Sequence, residues 1–186
     1  MLTILPNINQ DKIKTDLKQI LTDLVKGGFK KIFNHIDQKT IKKGVDDMGI
    51  DKFVNQCALL AAGSGAATGA GGLLTMLVGI PLDTANLITQ QFRVTLAINY
   101  HKTGRSKLNF MELFGIVASS LKVDAGMTIT KNVVEEVAQK LLIRIGPKSL
   151  RRLVPVVGAV IGGTANYLFI KNVANTLMAK QEYQSQ

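Results

Sequence analysis

CALLAAGSGAATGAGGLLTMLVGIPL, residues 57–82, runs for twenty-six positions without a charge, is closed by Pro81 and is followed by Asp83. From Ala61 to Gly72 every residue is Ala, Gly, Ser or Thr, and five are glycine. A glycine inside a helix costs up to about 1 kcal/mol relative to alanine. Something must offset several of them, and close approach of another backbone does so through dispersion contact. Gly65 and Gly69 make a GxxxG pair, and Ala62, Ala66 and Ala70 a second small ridge. A matching stretch, LVPVVGAVIGGTANYLFI at 153–170, repeats the spacing at Gly158 and Gly162. The pattern predicts an all-α, compact helical bundle built around two glycine-rich, closely crossing apolar helices.

Composition agrees with that class. A chain of 186 residues fits one domain and can bury a sizeable core. Trp is absent and aromatic content is 5%, so the core is built from Leu, Ile, Val, Ala and Gly, which favours helices over a β-sandwich. Lys and Arg outnumber Asp and Glu by 23 to 13, a formal net charge of +10 that suits an anionic partner. The single cysteine, Cys57, excludes an intramolecular disulfide and reads as an inert thiol in an apolar run. MLTILPNINQ at the start has no basic region and is interrupted by Pro6, so it does not read as a secretory signal.

Along the chain, Ile13, Leu17, Ile20, Leu21 and Leu24 form a helical stripe that Gly27 and Gly28 are expected to end. Phe29, Ile32, Phe33 and Ile36 predict a short helix, and Ile41, Val45 and Met48 another. Lys30, Lys31, Lys42 and Lys43 make this region basic and amphipathic. Two arrangements are open: the helices lie on an anionic bilayer with their apolar face in the headgroup boundary, or they pack on the core with the lysines in water. A helix from about Leu82 to Lys102 follows. Asn109 and Glu112 then stand at capping-box spacing, with Leu108 placed to staple to Leu113. A helix from about Thr130 is expected to stop at Gly146-Pro147. Arg144, Lys148, Arg151 and Arg152 form a basic cluster without an acid before the last helix, which Pro155 can open and which runs to about Ala179.

The Leu82–Lys102 helix carries the one site-like feature. At 100° per residue, Asp83, Asn86, Gln90, Arg93 and His101 fall within an arc of roughly 80°. Leu87, Val94 and Ile98 flank them on one side, Ile88, Phe92 and Leu96 on the other. Two apolar flanks describe a central helix whose polar stripe faces the protein interior or a groove. Asp83 and Arg93 stand about 15 Å apart along the axis, too far to pair directly. Two uses follow: an internal hydrogen-bond network that fixes register, or a ligand site in which Arg93 takes an anionic head. Asn166, on the second glycine helix, is placed to complete either.

Nothing in the sequence assigns a reaction. His35 and His101 are far apart with no second ligand at metal spacing, which argues against a metal site. Neither GxxxxGK[ST] nor GxGxxG occurs in a strand-to-helix setting, Ser64 lies outside GxSxG, and no cofactor is implied. The basic residues are dispersed and lack interleaved aromatics, which disfavours nucleic acid. Both glycine stretches approach the roughly 20 residues of a membrane span, but Gly, Ala, Ser and Thr give little drive to insert and the flanking charge gives no orientation. A compact bundle with buried glycine helices is preferred to a two-span protein.

The Ala/Gly-rich helix, Pro81-Leu82-Asp83 with Arg93, and Pro155-Val156-Val157-Gly158-Ala159 through Gly162 to Asn166-Tyr167 resemble the EcsC family of bacterial proteins, named for a product encoded beside an ABC transporter. The resemblance covers about Lys52 to Lys180. It implies a helical, apolar, membrane-associated domain of bacterial type and carries over no catalytic residues. Residues 1–50 then read as basic N-terminal helices, 51–180 as an EcsC-like helical core and 181–186 as a polar tail.

The function expected is that of a non-enzymatic accessory protein on the inner face of the cell membrane, engaging anionic lipid through its basic surface, with a membrane protein as a further partner. The alternatives are a soluble carrier of a lipid or amphiphile, which needs an enclosed cavity reaching Arg93; a glycine-zipper pore-former; and an enzyme in which Asp83 and His101 converge in one cleft. Oligomeric state is left open by composition.

Overall fold

A computed structural model describes residues 10–63, 80–124, 126, 128–150 and 158–179, with side chains from Thr15 onward except those of 144–150 and 158–162. The fold is all-α: α1 Gln10–Asp23, a π-helical turn Leu24–Gly28, α2 Phe29–Asn34, α3 Gln38–Met48, α4 Ile50–Ala62, α5 Leu82–Thr103, α6 Phe110–Ser120, α7 Lys131–Leu150 and α8 Gly158–Ala179. Among the described residues there is no strand.

Local chemistry accounts for most boundaries. Asp37 caps α3, accepting from the Lys39 N–H at 2.9 Å and the Thr40 hydroxyl at 2.7 Å. Asn109 and Glu112 form the full capping box of α6, each side chain accepting from the other's backbone N–H at 3.0 and 2.7 Å. One break agrees with expectation and one does not. The first helical run breaks at Gly27, φ +127°, and helix resumes at once with Phe29. Gly146-Pro147 does not stop α7, which continues to Leu150. Proline disfavours the helical region for its predecessor partly by a clash with that residue's Cβ, and Gly146 has none.

Helix α5 is the centre of the bundle. Every residue from Thr84 to Ile98 is buried except Arg93, and α4, α8, α3, α2 and α6 pack around it. Four phenylalanines tie its flank to α2 and α6: Phe29 lies 6.2 Å from Phe92 and 5.2 Å, edge-on, from Phe114, and Phe110 lies 5.3 Å from Phe114. Phe29, Phe92 and Phe114 are fully buried, and each contributes about 1.5–3 kcal/mol. Ile20, Phe29, Ile32 and Ile41 of the N-terminal helices belong to the same apolar cluster as Phe92 and Ile170.

Helices α4 and α8 cross closely. A Cβ added at Gly163 would sit 2.9 Å from the Ala62 carbonyl oxygen, so the two backbones approach within a distance that only glycine admits there. Contacts descend along α4 as they ascend along α8: Gly163 meets Ala62, Asn166 bonds to Ala61 and Tyr167 to Asn55, an antiparallel arrangement. The expected ridge residues Gly65, Gly69, Ala66 and Ala70 lie outside the described residues, as do the surroundings of Gly158 and Gly162. Among the described residues no helix is long and apolar enough to cross a membrane.

Candidate functional site

The polar stripe of α5 resolves into a directed chain of hydrogen bonds. Arg93 Nη1 donates to Gln90 Oε1 at 3.2 Å, Gln90 Nε2 donates to Asn86 Oδ1 at 3.0 Å, and Asn86 Nδ2 donates to the Leu60 carbonyl at 2.8 Å. Residues three or four apart share a helix face, so the spacing 86, 90, 93 builds the relay. Gln90 is 3% exposed and Asn86 8%. Every link points the same way, from a guanidinium to the C-terminal end of α4.

That end is where a helix leaves its last four carbonyls without internal partners and carries partial negative charge. The Gly63 N–H takes Leu59 O at 2.9 Å, Asn86 takes Leu60 O, and Asn166 Nδ2, arriving from α8, takes Ala61 O at 3.0 Å. Two asparagines from two helices thus cap a third. Tyr167 adds a hydroxyl bond to Asn55 Oδ1 at 2.7 Å. Arg93 stacks over the Phe53 ring, 5.5 Å from its centroid. Cys57 is fully buried on the same helix. Burial pushes its thiol up to about 11, against a smaller downward pull from Arg93, so it stays protonated and unreactive at neutral pH.

Of the predicted site residues, Asn86 and Asn166 meet at the C-terminal end of α4, Gln90 and Arg93 are linked to Asn86 along α5, and Arg93 lies over Phe53 near the start of α4. Asp83 is half-buried in the first turn of α5, and His101 is exposed in the last. They stand eighteen positions apart on unbroken helix, about 27 Å at 1.5 Å per residue. They share no cleft, which corrects the enzyme arrangement. The bonds among Asn86, Gln90 and Arg93 are of the kind expected of an internal network.

The basic residues divide by element. Lys30 and Lys31 are exposed on α2 while Phe29 and Ile32 beside them are buried, so this helix turns its apolar face to the core and its lysines to water. Lys42 and Lys43 pair with Asp46 and Asp47 one turn on. Lys42 also lies 5.0 Å from the Tyr100 ring centroid, and its ammonium is held above its ordinary range by Asp46 and then Tyr100. The apolar side of α3, Ile41 and Val45, is buried as well. Insertion of these faces into a bilayer is therefore replaced by packing. Side chains of Arg144 and Lys148, and Arg151 and Arg152 altogether, lie outside the described residues.

Three features carried no signal that was used. Gln38 clamps the backbone of Leu108, donating to its carbonyl and accepting from its N–H, both at 2.9 Å. Lys102 donates to the carbonyls of Leu177 and Met178, capping α8 with a charge. Gln91, fully buried on α5, has neither amide atom hydrogen-bonded among the described residues. A helix with two apolar flanks leaves little room for a polar residue off the stripe, so Gln91 was open to detection; the other two depend on contacts about seventy residues apart in sequence. Comparison with protein-family models, curated proteins and solved structures gives no match.

Proposed function

We propose that this protein is a non-enzymatic helical accessory protein that attaches by charge to an anionic membrane surface. The observation that carries the reading is α2: Lys30 and Lys31 stand exposed, without an ion pair among the described residues, on a helix whose Phe29 and Ile32 are fixed in the core. Attachment then rests on electrostatics without insertion of these helices, and the net charge of +10 supplies the long-range attraction. Membership of the EcsC family, and with it a bacterial setting on the inner face of the cell membrane and a membrane protein partner, belongs to the same proposal.

Sedimentation with vesicles tests the reading. The protein should pellet with phosphatidylglycerol-containing vesicles at low salt, stay in solution with phosphatidylcholine alone, and be released near 1 M salt, where the screening length falls to about 3 Å. At about 1 kcal/mol per lysine near the surface, Lys30→Glu with Lys31→Glu should weaken binding by more than tenfold. Equal pelleting of the double variant, or retention at high salt, would remove the proposal.

A further inference from the structure

Helix α6 and the loop that follows it enclose an open groove of about 820 Å³, within the roughly 300–1,000 Å³ usual for small-molecule sites. Arg93 does not line it, so it is not the cavity expected of a carrier. Met111, Ile116, Val123 and Ile129 give it an apolar lining, and Met111 is 47% exposed. Gly115 lines the groove, and a Cβ built there meets nothing within 4 Å, so a side chain at that position would enter open space.

Lys122 stands at the rim in a left-handed conformation, φ +57°, the one described non-glycine residue with positive φ. It follows the last turn of α6, where the Val123 N–H reaches back to Ala118 O at 2.9 Å. This is the place at which helices ordinarily put glycine, and a lysine there is strained. Lys122 is exposed and forms no ion pair among the described residues. Of the two acids on the groove, Glu112 is taken by Arg105 at 2.8 Å and by the Asn109 N–H, and Asp124 accepts from the Gly126 N–H at 2.9 Å. The groove is mixed, with Ser119 and the two acids beside its apolar side chains, and those apolar side chains together with the Lys122 ammonium, which forms no ion pair among the described residues, suit a single aliphatic chain that ends in an anion.

We propose that this groove binds a free long-chain fatty acid, its chain along Met111, Gly115, Ile116 and Ile129 and its carboxylate at Lys122. The site stands apart from membrane attachment through α2 and goes beyond it.

Calorimetric titration of the full chain with laurate, dodecanol and dodecylamine, below their aggregation concentrations, tests the assignment. Laurate should bind saturably at one per chain, dodecanol more weakly, and dodecylamine weakest. Gly115→Leu, whose new side chain points into empty space and so leaves the fold intact, should abolish binding of all three. Lys122→Gly should weaken laurate about three- to fivefold, the scale of an exposed ion pair, and leave dodecanol unchanged while the melting temperature rises. No saturable laurate binding, binding that survives Gly115→Leu, or dodecylamine bound as well as laurate would each overturn it. Laurate binding without vesicle sedimentation keeps the groove and removes the membrane reading; sedimentation without laurate binding does the reverse.

Discussion

Asn86 and Leu60 are joined across two helices by a 2.8 Å hydrogen bond that runs from a buried side-chain amide to a carbonyl at the C-terminal end of α4. The next carbonyl, Ala61, is taken the same way by Asn166. These two bonds fix how α5 and α8 meet α4, because a carbonyl left bare in the core would cost about 1–3 kcal/mol.

Asn86→Ala should therefore lower stability by roughly 1–3 kcal/mol, and Asn166→Ala by a similar amount. Asn86→Asp should cost more than the alanine change, since it sets an acceptor and a negative charge against the negative end of a helix. Urea unfolding of the three variants measures the order. If aspartate is tolerated better than alanine, the donor direction of the relay is wrong.

Glycine-to-alanine substitutions should have opposite signs at two positions. At Gly163 the new Cβ falls 2.9 Å from backbone that cannot swing aside, so overpacking of about 1–3 kcal/mol should outweigh the helix preference for alanine. At Gly115 the Cβ meets open space, and Gly115→Ala should stabilise α6 by up to about 1 kcal/mol. Thermal melts of the pair decide it; a stabilised Gly163→Ala would sink the close crossing of α4 and α8.

The parts of this architecture that were legible in sequence are those set by local chemistry. The Asn109–Glu112 box and the span of α5 follow from residues at most a helix length apart, and the two apolar flanks of α5 foretold its central place. The stripe at 86, 90 and 93 was visible as a stripe. An internal network was one of the two uses read for it, but the partner at its end was not legible, because the Leu60 carbonyl is a backbone atom that any residue at position 60 would supply. Gly163 was hidden by Gly162 beside it, since periodicity within one helix does not say which of two adjacent glycines faces the neighbour. The open space beside Gly115 could not be read, because an absent side chain acquires meaning only when the surrounding walls are known.

Acid should destabilise the protein through three surface carboxylates. Arg105 and then the Asn109 N–H hold Glu112 below its ordinary range; Lys42 and then Tyr100 do so for Asp46; Thr40 and then the Lys39 N–H do so for Asp37. Each binds its proton less readily folded than unfolded, so its stabilising contribution is complete above the unfolded values, about 3.9 for Asp and 4.3 for Glu. As pH falls the unfolded chain takes up protons first, and the contribution is lost on passing down through the folded values. Glu112→Gln, which keeps the cap geometry and removes the charge, should flatten the fall in urea midpoint between pH 5 and 2. An unchanged acid slope would show that Glu112 titrates normally.

Gln91 presents the inverse of the asparagine caps. Its amide is fully buried on α5, yet neither its nitrogen nor its oxygen is hydrogen-bonded among the described residues. Desolvating a polar group without a partner costs about 1–3 kcal/mol, and here no bond returns it. Gln91→Met, which keeps the length of the side chain and removes the amide, should raise stability by an amount of that order, about 2–4 °C in melting temperature per kcal/mol for a chain of this size. Gln91→Ala should fail to do so, because it trades the polar cost for a cavity. The two substitutions separate polarity from volume at one position. If methionine destabilises as much as alanine, the amide has a partner in solution, and an ordered internal water with two or more bonds to it becomes the explanation to test by deuterium exchange and high-resolution crystallography.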